Sequence, residues 1–213
     1  MKLFSMDGKF LNIFNRITDL VVLNLLWILC CLPIFTIGAA TSALYQVTLQ
    51  MAEDRESYIA QSFFHAFREN FKQATASWLI CLAAIVVLLA DTYVVSHFFT
   101  GMHITYVVLF FILSFLLFCV MLYMFPVIAY FKNSLKKIFI NSFRLAFGNL
   151  ATTLQLFLLS LLPALVLVLF QSMPVLGSFL ILVIVPSATA FFQSVLLSHL
   201  FKKIPVNPSE NFS

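Results

Sequence analysis

The sequence predicts an all-α, polytopic membrane protein, and three observations carry that reading. Of its 213 residues, 62% are hydrophobic and only 9% are charged, where a soluble domain carries about 25% charged residues. Lys, Arg, Asp and Glu are absent from Leu20 to Ala52, Gln73 to Ala90, Thr92 to Phe131 and Leu145 to Phe201. A membrane-spanning helix needs roughly 20 apolar residues, so these runs leave room for five or six spans and no separate soluble domain. Residues 1–213 are thus read as a single integral membrane domain, with amphipathic cytoplasmic segments at 1–19, 54–73 and 132–149.

The first run is the ambiguous one. From Leu20 to Ala52 it would make about 50 Å of continuous helix, against a hydrocarbon core of about 30 Å. Pro33 and Gly38 bracket the segment PIFTIG, a pairing suited to a reversal of direction. The run therefore divides into one helix from about Asn12 to Leu32 and a second from about Ala39 to Glu53. Later spans separate cleanly, at Ala74 to Ser96, Ile104 to Phe131, Leu150 to Phe170 and Pro174 to Leu200.

Charge placement tests the division. With six spans, arranged as three hairpins, all 12 Lys and Arg residues fall on one side of the membrane, which the positive-inside rule makes the cytoplasmic side of a cell membrane, both termini included. With five spans, the alternative, Lys2, Lys9 and Arg16 fall outside. The second helix carries Thr41, Ser42, Gln46, Thr48 and Gln50, so it belongs inside the bundle rather than against lipid. A cleavable leader is not expected, because Asp7, Asp19, Asn24 and Pro33 interrupt the segment that would form it.

An internal repeat points the same way. Phe63, Phe67 and Phe71 with Arg68 match Phe139, Phe143 and Phe147 with Arg144, and the four-residue spacing lays the rings along one helical face. Phe10, Phe14 and Arg16 form a weaker third copy. The returning spans also echo each other, ATSALYQ at Ala40 to Gln46 and SATAFFQ at Ser187 to Gln193.

The stretches NLLWILCCLPIFTIGAATSALY (Asn24 to Tyr45) and FFHAFRENFKQATASWLI (Phe63 to Ile80) resemble the YesL-like family of small bacterial membrane proteins. The motif combines Pro33, Gly38, Thr41 and Tyr45 with Phe67, Arg68, Asn70 and Phe71. Members occur chiefly in Gram-positive bacteria beside sugar-uptake transporters and glycan-degrading enzymes. The resemblance thus implies an accessory role in carbohydrate uptake, with components of a sugar ABC transporter as partners.

The candidate functional residues are few. Asp91 is the one acidic residue deep in a clear span, and an intramembrane carboxylate invites a coupling role. It lies towards the outer end, where headgroups can hydrate it. Arg68 and Arg144 suit either interfacial anchoring to anionic lipid or docking of a cytoplasmic partner. Thr41, Gln46 and Gln193, with Tyr45 of the family motif, could line a path for a small solute or act as polar glue between helices. Asp19 is expected to pair with Arg16 one turn earlier. His97 and His103 make a weak metal site without a third ligand. Glu53, Asp54 and Glu56 with Arg55 read as a solvated turn.

No Walker loop, GxSxG or HExxH stands in the chain, so no enzyme activity, cofactor or metal is expected. No basic block dense enough for a nucleic-acid partner is present either. The lipid bilayer is the expected surround, and the oligomeric state is left open. The runner-up function is a small solute transporter or permease component.

Overall fold

A computed structural model describes residues 3–55, 58–98, 103–131 and 133–203. Among these, every regular element is helical: α1 (Leu3–Cys31), α2 (Ile37–Ala52), α3 (Ile59–Phe98), α4 (His103–Tyr130), α5 (Leu135–Gly148), α6 (Leu150–Ser160), α7 (Leu162–Leu169), α8 (Pro174–Val183) and α9 (Val185–Phe201), with one 3-10 turn at Ile34–Thr36. Four stretches are long and apolar enough to cross a membrane: Phe14–Cys31, Ile59–Val95, Tyr106–Tyr130 and Leu150–Leu169. The pair Pro174–Leu180 and Val185–Phe201, bent by 46°, makes a fifth if it acts as one span. α2, at 16 residues, is too short to count by length, so four to five spans stand where six were predicted.

The division of the first run is borne out, with a shifted turn. Pro33 follows the end of α1, and its ring blocks further helix. The carbonyls stranded there find local donors, as they must away from water. Thr36 Oγ1 donates to Cys30 O at 2.6 Å and to Pro33 O at 2.7 Å, and Trp78 Nε1 donates to Ile34 O at 2.9 Å. Gly38 is not part of the turn. It lies in the first turn of α2, where an added Cβ would stand 2.5 Å from both Ala74 O and Trp78 Cβ. The small residue is there to bring α2 onto α3.

α2 is the central helix. It packs on α1, α3, α4 and α9, and Gly38, Ala39, Ala40, Ser42, Ala43, Leu44, Val47, Thr48 and Leu49 are all buried. This is the position its polar residues predicted. From Ile59 the amphipathic stretch runs without a break into the apolar one, so that α3 is a single helix of 40 residues.

The two Phe-Arg segments have different environments. Phe63 is fully buried with Ala66 against Leu23, Ala43, Leu44 and Val47, so its aromatic face packs within the protein rather than in the interface. Phe143 and Phe147 in α5 are exposed, while Ile138, Ser142 and Ala146 face inward. Phe10, of the third copy, lies outside the residues whose side chains are described.

The two last predicted spans are each interrupted. α6 and α7 break at Leu161 and α8 and α9 at Ile184. Pro163 and Pro186, each at the start of the following helix, cannot donate to the preceding turn. At the second break Asn24 Oδ1 accepts from Ser187 N at 3.2 Å, and Ser187 Oγ donates to Leu20 O at 2.7 Å. Asn24 of α1 thereby satisfies a free N–H in the first turn of α9, which accounts for an amide inside an apolar run.

Candidate functional site

The polar residues predicted on α2 and α9 do come together. Tyr45 OH donates to Gln193 Oε1, and Gln193 Nε2 donates to Leu156 O at 3.2 Å, so one amide joins α2, α9 and α6. One turn further along, Thr48 Oγ1 and Ser194 Oγ share a hydrogen bond of 2.7 Å. Thr41 Oγ1 accepts from Trp27 Nε1 at 3.3 Å, and Gln46 Oε1 accepts from Asn70 Nδ2 at 2.7 Å, tying α2 to α1 and α3. Gln193, Thr48 and Ser194 are buried. Groups paired in this way satisfy one another rather than face a solute, and in a dry interior each bond is costly to break.

Ser194 was not singled out from the sequence, although a signal was available. Ser187, Ala190, Ser194, Leu197 and Phe201 are all buried on α9, and their alternating spacing of three and four residues marks one helical face carrying small and polar side chains. A second buried pair, Tyr123 OH and Thr153 Oγ1 at 2.9 Å, joins α4 to α6, and Thr153 Oγ1 also donates to Ala146 O at 2.7 Å across the α5–α6 break.

The charged end of the bundle is more organised than a solvated turn. Asp54, at φ 54°, pairs with Arg16 of α1. The Glu53 side chain is only 6% exposed; it pairs with Arg55 and lies 3.7 Å from Lys202 Nζ at the end of α9. Arg16 is thus drawn across to the α2–α3 turn, where the sequence pointed to Asp19 alone. Glu56 lies outside the described residues. Beside this network is an open cleft of about 580 Å³, lined by Asn15, Arg16, Asp19, Gln50, Asp54 and Arg55 among others. Its two acidic and two basic groups are balanced, and both cations are already engaged, Arg16 by Asp54 and Arg55 by Glu53.

The remaining candidates stand apart from these clusters. Asp91 is exposed on the C-terminal part of α3, 13 residues beyond Trp78 in the chain, and no acid–base pair forms around it among the described residues. Arg68 and Arg144 are exposed on α3 and α5; Arg68 borders a shallow groove with Gln61, Phe64, His65 and Glu69. His97 and His103 lie outside the residues whose side chains are described. Among the described residues no three His, Cys, Asp or Glu side chains converge as metal ligands.

Residues 20–92 match a protein family of unknown function, DUF624. The chain is 28% identical over 139 residues to the uncharacterized protein YesL of Bacillus subtilis (strain 168), an alignment covering 63% of this chain and 65% of that relative. This chain therefore spans just under two thirds of the relative's length. No solved structure matches it. The resemblance read from Asn24 to Tyr45 and Phe63 to Ile80 falls inside the matched stretch, and both comparisons bear it out.

Proposed function

We propose, taking the chain as YesL-like, that it is a non-enzymatic membrane scaffold of the bacterial cell membrane, and that its interior is closed to solutes. The observation that carries this is the mutual pairing of the polar groups on α2 and α9, Tyr45 with Gln193 and Thr48 with Ser194. A pathway would need such groups turned to a continuous wet space; here they serve as glue between helices. The polar cleft beside Arg16 and Asp54 lies at the charged end and the groove beside Arg68 on the flank of α3, neither through the bundle.

The scaffold crosses the membrane six times, as three hairpins, with both termini cytoplasmic. Two contacts support this arrangement. The start of the apolar span of α1 and the end of α9 both reach the α2–α3 turn, through Arg16 to Asp54 and Lys202 to Glu53. The first crossing therefore begins, and the last ends, on one side. α2 completes the count because it is enclosed by protein, so its short length need not match the bilayer. Reporter fusions after Lys9 and after Lys203 are expected to report the cytoplasm at both points; an external signal from either would return the five-span alternative.

The partner, components of a sugar ABC transporter, rests on the family resemblance alone. The functional test is direct: liposomes holding only this protein are expected to take up labelled mono- and disaccharides no faster than empty liposomes. Uptake that rises with protein and is lost in Gln193→Leu would replace the scaffold with the permease reading.

A further inference from the structure

The helices are staggered in height, and the stagger can be read from their contacts. α2 runs antiparallel to α3, with Gly38 against Ala74 and Trp78, Gln46 bonded to Asn70, and Val47 in one cluster with Phe63. α1 runs antiparallel to α2, with Trp27 bonded to Thr41 and Arg16 to Asp54. Along the bundle, Leu25 and Leu29 of α1 therefore stand at about the height of Arg68 and Lys72 of α3.

Their exposed surfaces are opposite in character. α1 presents Ile17, Val22, Leu25 and Leu29, with Leu32 just past its end 75% exposed. α3 at the same height presents Gln61, His65, Arg68, Glu69 and Lys72, with the ring of Phe64 among them. Arg68 and Lys72 outnumber Glu69 on this face, which leaves it one positive charge in excess. A bilayer perpendicular to the helices cannot suit both faces.

The far rim of the bundle is uneven as well: the α1–α2 turn ends at Trp78, through its bond to Ile34 O, whereas α3 continues to Phe98, about 30 Å further.

We propose that the bundle is seated obliquely in the bilayer. The α1 stripe is sunk in hydrocarbon, while the first four turns of α3 emerge into the cytoplasmic headgroup layer, where Arg68 and Lys72 meet lipid phosphate. The dimensions agree. Upright, the apolar surface from the height of Ile17 to that of Val94 spans about 50 Å, against a core of about 30 Å. A tilt on the order of 40°, at the upper end of the range for membrane helices, shortens this to about 38 Å. Outer faces separated by two packed helices, roughly 20 Å, are offset in height by about 13 Å more, which brings both apolar surfaces inside the core.

The test uses single substitutions at exposed positions of the full chain in lipid nanodiscs, which leave both membrane faces open. Leu25→Cys, Leu29→Cys, Arg68→Cys and Lys72→Cys are treated with an anionic, membrane-impermeant maleimide, with the wild-type chain as the blank for its four native cysteines. Positions 68 and 72 are expected to label at least tenfold faster than 25 and 29. Their labelling is also expected to slow several-fold when phosphatidylglycerol replaces phosphatidylcholine, because anionic headgroups repel the probe. Equal rates at all four positions, fast or slow, would overturn the oblique seating; uniformly slow rates would instead put a second copy of the chain over the α3 face. Fast labelling at 68 and 72 that ignores lipid charge would place them in bulk water and overturn the headgroup contact.

Discussion

Gly38→Ala is expected to destabilise the protein by about 2–3 kcal/mol, and Gly38→Val by more, measured as a shift in detergent or thermal unfolding. The added Cβ would stand 2.5 Å from Ala74 O and Trp78 Cβ. Neither atom can swing aside, since one is helix backbone and the other is fixed to it. α2 must then back away from α3, at the cost typical of overpacking. The loss extends beyond that contact, because Asn70 to Gln46 and Trp78 to Ile34 O bridge the same two segments. Gly148→Ala is the control. Nothing lies within 4 Å of its added Cβ, and the change should stay within about 0.5 kcal/mol of wild type. A Gly38→Val protein as stable as wild type would refute the close approach of these helices.

Gln193→Leu is expected to cost on the order of 2 kcal/mol. It strips the acceptor from Tyr45 OH and the second donor from Leu156 O in one step, leaving the hydroxyl unsatisfied in the interior and the carbonyl with its helical partner alone. Tyr45→Phe alone removes one bond and should cost about 1 kcal/mol. In the double variant the two losses overlap, and a coupling of about 0.6–1.7 kcal/mol is expected from the range found for such pairs in membrane proteins. Strictly additive effects would mean that the two side chains do not share a bond. The same variants separate glue from pathway, because a residue that lines a solute path alters flux at unchanged stability.

Where helices begin and end was legible because prolines and charges mark breaks chemically. Pro33 divides the first run, and the polar content of α2 was correctly read as an interior feature. The span from Leu150 to Phe170 concealed a break at Leu161 because Pro163 lies in an otherwise featureless apolar run. Glu53 was read as solvated since its burial depends on α9 returning Lys202 to the same corner. Nothing near Glu53 in the chain announces a partner so distant.

Composition and charge spacing were sufficient for an all-helical membrane protein whose basic residues cluster between apolar runs, because the cost of placing charge in hydrocarbon leaves that mark on any such chain. Which polar groups meet, and how far α3 and α4 rise past the α1–α2 turn, came from the folded arrangement. The physical reason is that lipid and protein interior are both apolar. α4 carries apolar residues all around, with Leu109, Phe111 and Phe115 exposed as Tyr123, Met124 and Val127 are buried, so its sequence periodicity cannot separate an inward face from an outward one. Helix register is then set by the few sites where shape or hydrogen bonding admits a single fit, Gly38 against Ala74 and Tyr45 to Gln193.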